Sequence, residues 1–223
     1  MEQMTMTKTH RLLIVDDHPI VRTGLRQMLE SDPGLSVVGE AAGGPDALEQ
    51  MRHHKPDLVL VDIVLESGSG LDLIKQIRAW DENVKILVVS VHDDAIYAER
   101  ALAAGAHGYV NKTEAPSVIL DAIRTILRGK IYLHASMQDA ALQRFYHTGA
   151  AKAKSPVDTL SDRELEVLGH IGRGLTTRLI ASRMMLSPKT VETYREHIKR
   201  KLNLKNVTEL THYAVVWSQQ TSA

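Results

Sequence analysis

Over the first 130 residues, short and almost wholly apolar runs alternate with stretches of helical periodicity. "RLLIVDD" (11–17), "LSVVGEAA" (35–42), "DLVLVD" (57–62), "KILVVS" (85–90) and "GYVNK" (108–112) read as five strands. A run such as Leu58 to Val61 is continuously apolar rather than alternating, which marks a strand buried on both faces. Helix-like stretches fall between them, at 20–29, 44–53, 70–79, 95–104 and 116–127. Five such units predict an α/β fold, a five-stranded doubly wound parallel sheet with helices on both faces. The functional crevice of such a sheet lies beyond the carboxyl ends of its strands. Asp16, Asp17, Asp62, Ser90 and Lys112 all fall there. An unpartnered carboxylate inside a sheet costs several kcal/mol. The strand is therefore expected to end by presenting Asp62 to an open crevice rather than burying it.

The pattern weakens after residue 130. "SMQDAALQRFY" reads as helical and "HTGAAKAKSPVD" as an exposed linker, so residues 131–157 join a first domain (9–130) to a second (158–223). Ser161 and Glu164 have the spacing of a capping box, and Leu165, Leu168 and Ile171 mark one apolar face behind it. "TTRLIASRMML" gives a short second helix. Ser187–Pro188 opens a third helix to about Leu202, and "NVTELTHYAVVW" supplies a fourth. A short helix, a turn and a longer helix form a helix-turn-helix in an all-α four-helix domain.

On the third helix Val191, Ile198 and Leu202 share one stripe, with Tyr194 beside it. Lys189, Glu192, Thr193, Glu196 and Arg200 share the opposite stripe. Lys189, Lys199, Arg200 and Lys201 suit phosphates, Thr193 a thymine methyl, and Glu192 or Glu196 a cytosine amino group. A plain solvated face would look the same. In the last helix, Leu210, Tyr213, Ala214 and Trp217 read equally as a pairing face or as core.

Charge sharpens the division. Residues 1–130 carry 14 Lys+Arg and 19 Asp+Glu, a difference of −5; residues 131–223 carry 13 and 8, a difference of +5. The basic half is the one with the helix-turn-helix. The absence of cysteine excludes disulfides and thiolate metal sites. "MEQMTMTKTHR" lacks the apolar core of a signal peptide, and no apolar run is long enough to span a bilayer, so a cytoplasmic protein without membrane contact is expected.

Carboxylates converging above the sheet repel one another unless a cation joins them, and an oxygen-only set with water suits Mg²⁺. A metal, an ammonium and a hydroxyl around one aspartate can stabilise a phosphoryl group. A phosphatase with an aspartate nucleophile typically carries a second aspartate two residues on, where this chain has Val64. A regulator sensing a small apolar signal would line its pocket differently.

The ordered motifs "VDDH", "LVLVD", "VVS" and "YVNK" resemble the receiver domain of bacterial two-component response regulators. "DDHPIVRTGL", "LSDRELEVL" and "PKTVETYREHIKRKLNL" resemble the NarL/FixJ subfamily with its LuxR-type helix-turn-helix. The resemblance implies that Asp62 accepts a phosphoryl group from a sensor histidine kinase. It implies a Mg²⁺ cofactor held by Asp17, Asp62 and the Val64 carbonyl, with Asp16 acting through water. Lys112 would pair with the phosphoryl oxygens, Ser90 would move to it, and Tyr109 would turn inward. Lys189, Thr190, Glu192, Thr193, Arg195, Glu196, Lys199 and Arg200 would meet promoter DNA as a phosphorylated homodimer, with RNA polymerase a further partner. Chemistry would be limited to self-catalysed phosphoryl transfer and dephosphorylation. The chain departs from the family at Glu66 in the loop after Asp62, and at Leu179, where a polar residue is usual. Val64 and His92 hold positions that, by the resemblance, would influence phosphoryl lifetime.

Overall fold

The computed structural model describes residues 9–65, 68–91, 95–134 and 156–220. Glu66, His92, the helix read within 135–155 and most of the linker lie outside the described residues; the linker's end is described, and there Pro156–Thr159 forms a 3-10 turn that buries Val157 in the helical core, which corrects the reading of that end as exposed. Strands β1 (His10–Val15), β2 (Leu35–Ala41), β3 (Leu58–Val61), β4 (Lys85–Ser90) and β5 (Gly108–Asn111) form one parallel sheet in the order β2-β1-β3-β4-β5. The intervening helices are α1 (Pro19–Glu30), α2 (Gly44–His54), α3 (Gly70–Trp80), α4 (Ala95–Ala103) and α5 (Pro116–Leu127). Alternate strand residues feed two cores. Leu12, Ile14, Leu58, Leu60, Leu87 and Val89 pack with Leu29 of α1 and Ile123 of α5. Leu13, Val15, Val59, Val61, Ile86 and Val88 pack with Met51, Ile74 and Ala101 of α2, α3 and α4.

Ladder hydrogen bonds run one residue beyond three of the strands, and this fixes the site. Asp16 N–H donates to Ala41 O at 3.0 Å, Asp62 N–H to Val15 O at 2.9 Å, and Lys112 N–H to Ser90 O at 2.8 Å. The chain after α5 returns to the sheet edge, where Tyr132 bridges Gly108. A Cβ on Gly108 would lie 2.8 Å from Tyr132 O, so only glycine admits this approach.

The helical half contains α6 (Asp162–Gly172), α7 (Thr177–Arg183), α8 (Pro188–Lys201) and α9 (Val207–Gln220). The expected capping box forms: Ser161 Oγ accepts from Glu164 N–H, and Glu164 Oε2 accepts from Ser161 N–H at 2.7 Å. Ser187 caps α8 ahead of Pro188. Leu165, Leu168, Val191, Ile198, Leu210 and Ala214 build the core. Leu210, Ala214 and Trp217 are thus spent on core packing, which decides between the two readings of them in favour of core. The apolar residues that α9 leaves exposed are Val207 and Val216.

The two halves are docked. Asp162 accepts from Lys75 at 2.6 Å and from Arg100 at 2.8 Å, and Arg100 also donates to Leu160 O. Arg163 pairs with Asp72 at 2.7 Å. The Tyr97 hydroxyl donates to Leu165 O at 3.5 Å, with its ring 6.3 Å from that of Trp217. A Cβ on Gly169 would sit 3.3 Å from the same hydroxyl. Helix α6 is consequently buried from Glu164 to Ile171 without a break. An amphipathic helix covers only one stripe against its own domain; the rest of this one is covered by α3 and α4.

Two glycines give opposite expectations. A Cβ on Gly70 would lie 2.0 Å from Asp62 O, backbone against backbone, so Gly70→Ala lowers stability by roughly 1–3 kcal/mol in urea unfolding. Gly24 lies inside α1 with nothing within 4 Å, so Gly24→Ala raises it by about 1 kcal/mol.

Candidate functional sites: an acidic pocket and an exposed helix face

Asp16, Asp17, His18 and Asp62 bring ligand atoms within 4.8 Å of one another above the sheet. Asp16 and Asp62 are buried, at 1% and 4% exposure, which corrects the expectation that Asp62 faces an open crevice. The reason is Lys112. Its ammonium lies 2.5 Å from Asp16 Oδ2 and 2.5 Å from Asp62 Oδ2, so both carboxylates are closed over by a charge partner instead of water. His18 went unmarked in the sequence, although it follows directly in "VDDH". Its backbone N–H donates to Asp16 Oδ1 at 2.8 Å, and its Nδ1 lies 2.6 Å from Asp17 Oδ1.

Three carboxylates and one ammonium leave a formal charge of −3 + 1 = −2 in the pocket. One lysine cannot neutralise two aspartates. Burial pushes the Asp62 carboxyl above its ordinary range, Lys112 opposes that, and Asp16 adds to it. For Lys112, burial favours the neutral amine, but Asp62 and Asp16 together outweigh it and hold the ammonium above its usual range. Asp62 Oδ1 is sealed from solvent without a well-formed hydrogen bond. Ser90, fully buried at the end of β4, gives Asp62 a weak stabilising contact. Val64 lies two residues beyond Asp62, in a loop pinned by its bridge to Ser69. Tyr109 is buried on β5, in register with Val88, and lines a small cleft with Glu114, Val118, Tyr132 and His134.

An unsatisfied buried oxygen, an excess charge of −2 and an all-oxygen aspartate set fit a hard divalent cation. Asp17 and Asp62 have oxygens to offer. Asp16, committed to Lys112 and the His18 amide, is suited to an indirect role. Mg²⁺ there would neutralise the pocket and polarise a phosphoryl oxygen.

On α8 the structure sorts the expected residues by exposure. Lys189, Glu192, Thr193, Glu196 and Arg200 are exposed on one face, including in the docked arrangement. Glu192 is held in place by the Thr177 hydroxyl at 2.7 Å. Glu196 pairs with Lys199 at 2.8 Å, and Thr190 closes onto the capping Ser187. Arg195 is 9% exposed, with its guanidinium beside the Glu192 carboxylate at 3.7 Å. Lys201 is tied to Glu164 at 2.6 Å, so it anchors α8 to α6. Leu179 is exposed on α7. Among the described residues, no helix is long and apolar enough to cross a membrane.

Comparison with known proteins agrees with this geometry. Residues 12–124 match the response regulator receiver domain, and residues 158–214 match the bacterial regulatory proteins of the luxR family. The response regulator UvrY of Escherichia coli is 37% identical over 205 residues, covering 92% of this chain and 93% of UvrY. The oxygen regulatory protein NreC of Staphylococcus carnosus is 35% identical over 209 residues, covering 92% and 96%. Among solved structures, RcsB from Salmonella enterica serovar Typhimurium, bound to a promoter in the presence of the phosphomimetic BeF₃⁻, is similar at TM-score 0.66. It is 25% identical, and the match covers 93% of this chain and 98% of that one.

An aspartate pocket at the strand ends and a helix-turn-helix with its reading face open define a regulator with a receiver and a DNA-binding domain. The chain belongs to the two-component response regulators of the NarL/FixJ subfamily, and is a DNA-binding transcription regulator. Receiver domains of this family bind Mg²⁺ at such an acidic pocket.

Mg²⁺ should stabilise the fold measurably. At ten times its Kd it contributes about 1.4 kcal/mol, seen as a higher thermal midpoint near neutral pH. The increment shrinks in acid, where the carboxylates take up protons and Asp62 does so early. Asp17→Ala should remove most of it.

Proposed function

We propose that Asp62 accepts a phosphoryl group, that Mg²⁺ assists, and that the modified receiver changes how the helical domain engages promoter DNA. The observation that carries this reading is the Lys112 ammonium shared between Asp16 and Asp62 in a pocket of residual negative charge. In a phosphohistidine donor, the phosphorus–nitrogen bond breaks as an Asp62 oxygen bonds to phosphorus. Sensor histidine kinases are the donor class that the family implies. Mg²⁺ on Asp17, Asp62 and the Val64 carbonyl, with Asp16 through water, would offset the incoming charge. Lys112 then transfers its contact to the new phosphoryl oxygens. Val64, two residues from Asp62, cannot act as an acid or base, so the chain has no hydrolase machinery of its own at that position.

Ser90 and Tyr109 are the switching residues of this reading. Moving a two-state equilibrium from 1:99 to 99:1 needs about 5.5 kcal/mol. Two or three charge-assisted hydrogen bonds to a phosphoryl group, at roughly 1.5–3 kcal/mol each, supply it. Residues 9–130, 131–157 and 158–223 act as receiver, connection and DNA-binding domain. Lys189, Thr193, Lys199 and Arg200 meet phosphates and bases directly, Glu192 and Glu196 accept from base amino groups, and Thr190 and Arg195 set the helix from behind. The docked arrangement leaves the reading face exposed. Phosphorylation on this reading therefore frees the helical domain to pair as a homodimer on two half-sites, from which RNA polymerase is influenced.

Asp62→Ala should abolish labelling by a small phosphodonor with Mg²⁺; undiminished labelling refutes the assignment. Arg200→Ala should weaken DNA binding across all sequences and reduce the salt slope by about one. A change confined to sequence preference would move Arg200 from phosphate to base contact.

A further inference from the structure

Helix α6 brings a second buried carboxylate to the seam, one that Lys75 and Arg100 do not reach. Glu166 lies on α6 at 4% exposure. Its ion pair is with Arg163, at 3.1 Å, and the other arm of the same guanidinium holds Asp72 of α3 at 2.7 Å. One arginine therefore serves two carboxylates, one from each side of the seam. Among the described residues, Lys75 and Arg100 both reach Asp162, and Lys75 also lies 4.0 Å from Asp72. From α8, His197 and Lys201 face Glu164 instead. Where α9 approaches Gly169 and Gly172 of this helix, the neighbours are Ala214, Trp217 and Ser218, which carry no charge.

We propose that docking of the receiver onto the helical domain takes up a proton at Glu166, so that the chain closes in mild acid and opens as the pH rises. It rests on the reading of the chain as a two-domain regulator, but its test uses neither phosphodonor nor DNA, so the two fail separately.

Supporting this, burial pushes the Glu166 carboxyl up to about 7, with Arg163 opposing and Asp72 and Asp162 adding to the rise. Released from the seam, it returns toward its ordinary 4.5. The sign follows from these two values. Below the lower one both states are protonated and docking has its full strength. Between them each rise in pH favours the open, ionised state, and above the higher one the loss is complete. Asp162, the other acid that α6 brings to the seam, does not compete. Burial alone would raise Asp162, but Lys75 and Arg100 outweigh it and hold it below the carboxylate range. His170, one turn along α6, is pushed down to about 4 by burial and then by Arg173 and Arg183 of its own domain. Glu166 by itself lowers the closed-to-open ratio on the order of a hundredfold from about pH 5 to pH 8, read as the fall of the wild type relative to Glu166→Gln; His170, released from the same burial, works the other way below its ordinary 6.5.

Carboxyl-carbon NMR on the full chain tests this. The Glu166 midpoint should lie near 7 in the wild type and move toward 4.5 in Lys75→Glu/Arg100→Glu, whose clasp on Asp162 is turned into repulsion. Energy transfer between dyes on two introduced cysteines, in a chain that has none of its own, confirms that this variant is open. A wild-type midpoint near 4.5 overturns the proposal, as does a midpoint still near 7 in the open chain. The same dyes in an Arg100→Ala background give the second test. The ratio should fall with pH relative to Glu166→Gln as stated. An equal fall with glutamine also overturns it.

Discussion

A single ammonium between two buried carboxylates organises this molecule. Lys112 leaves β5 at the one height where it can reach both Asp16 and Asp62, and the three parallel strands concerned are locked in register to keep it there. Electrostatics makes the arrangement incomplete by construction. The lysine satisfies one carboxylate in full and cannot satisfy two, and Asp17 adds a third charge at the rim. A buried pocket that remains negative is one whose affinity for a cation, and then for a group the cation can steady, is built into its charge count. The sheet holds this imbalance rigidly, which is why nearly continuous apolar strands have to deliver acidic residues at their ends.

Much of this was legible in the chain. All five strands and the five helices around them follow from apolar runs and helical stretches, and α5 has the bounds expected of it. Strand-end placement singled out Asp16, Asp17, Asp62, Ser90 and Lys112 because a parallel sheet projects whatever follows its strands into one crevice. Periodicity also separated the buried stripe of α8 from its exposed one. The burial of Asp62 was not legible, since it depends on a lysine fifty residues away folding back over it. His18 was in plain view, but only the loop geometry brings its ring to Asp17. The seam was wholly hidden. Asp162 lies 87 and 62 residues from its partners Lys75 and Arg100, and no local pattern encodes which charges on two amphipathic surfaces will meet. The same blindness applies to Leu210, Ala214 and Trp217, whose spacing suits a core and a pairing face equally well.

The seam and the pocket obey one rule at different scales. In each, a cation is shared between carboxylates that it cannot fully serve: Lys112 between Asp16 and Asp62, Arg163 between Asp72 and Glu166. Arrangements of this kind hold their shape while remaining sensitive to added or removed charge, and a regulator has use for both properties. The exposed face of α8 stands apart from these clusters. Thr177 holds Glu192 on this face and Ser187 caps the helix that carries it, both contacts lying within the helical domain.

Gly169 shows what docking asks of the helical domain itself. It sits in the interior of α6, where glycine costs a helix about 1 kcal/mol relative to alanine. Nothing in its own domain requires that sacrifice at van der Waals range closer than Trp217, whereas the Tyr97 hydroxyl of the receiver stands 3.3 Å from where a methyl group would be. The helix is thus imperfect for folding alone and shaped for a neighbour. The sequence of one domain carries a local frustration that only the presence of the other resolves.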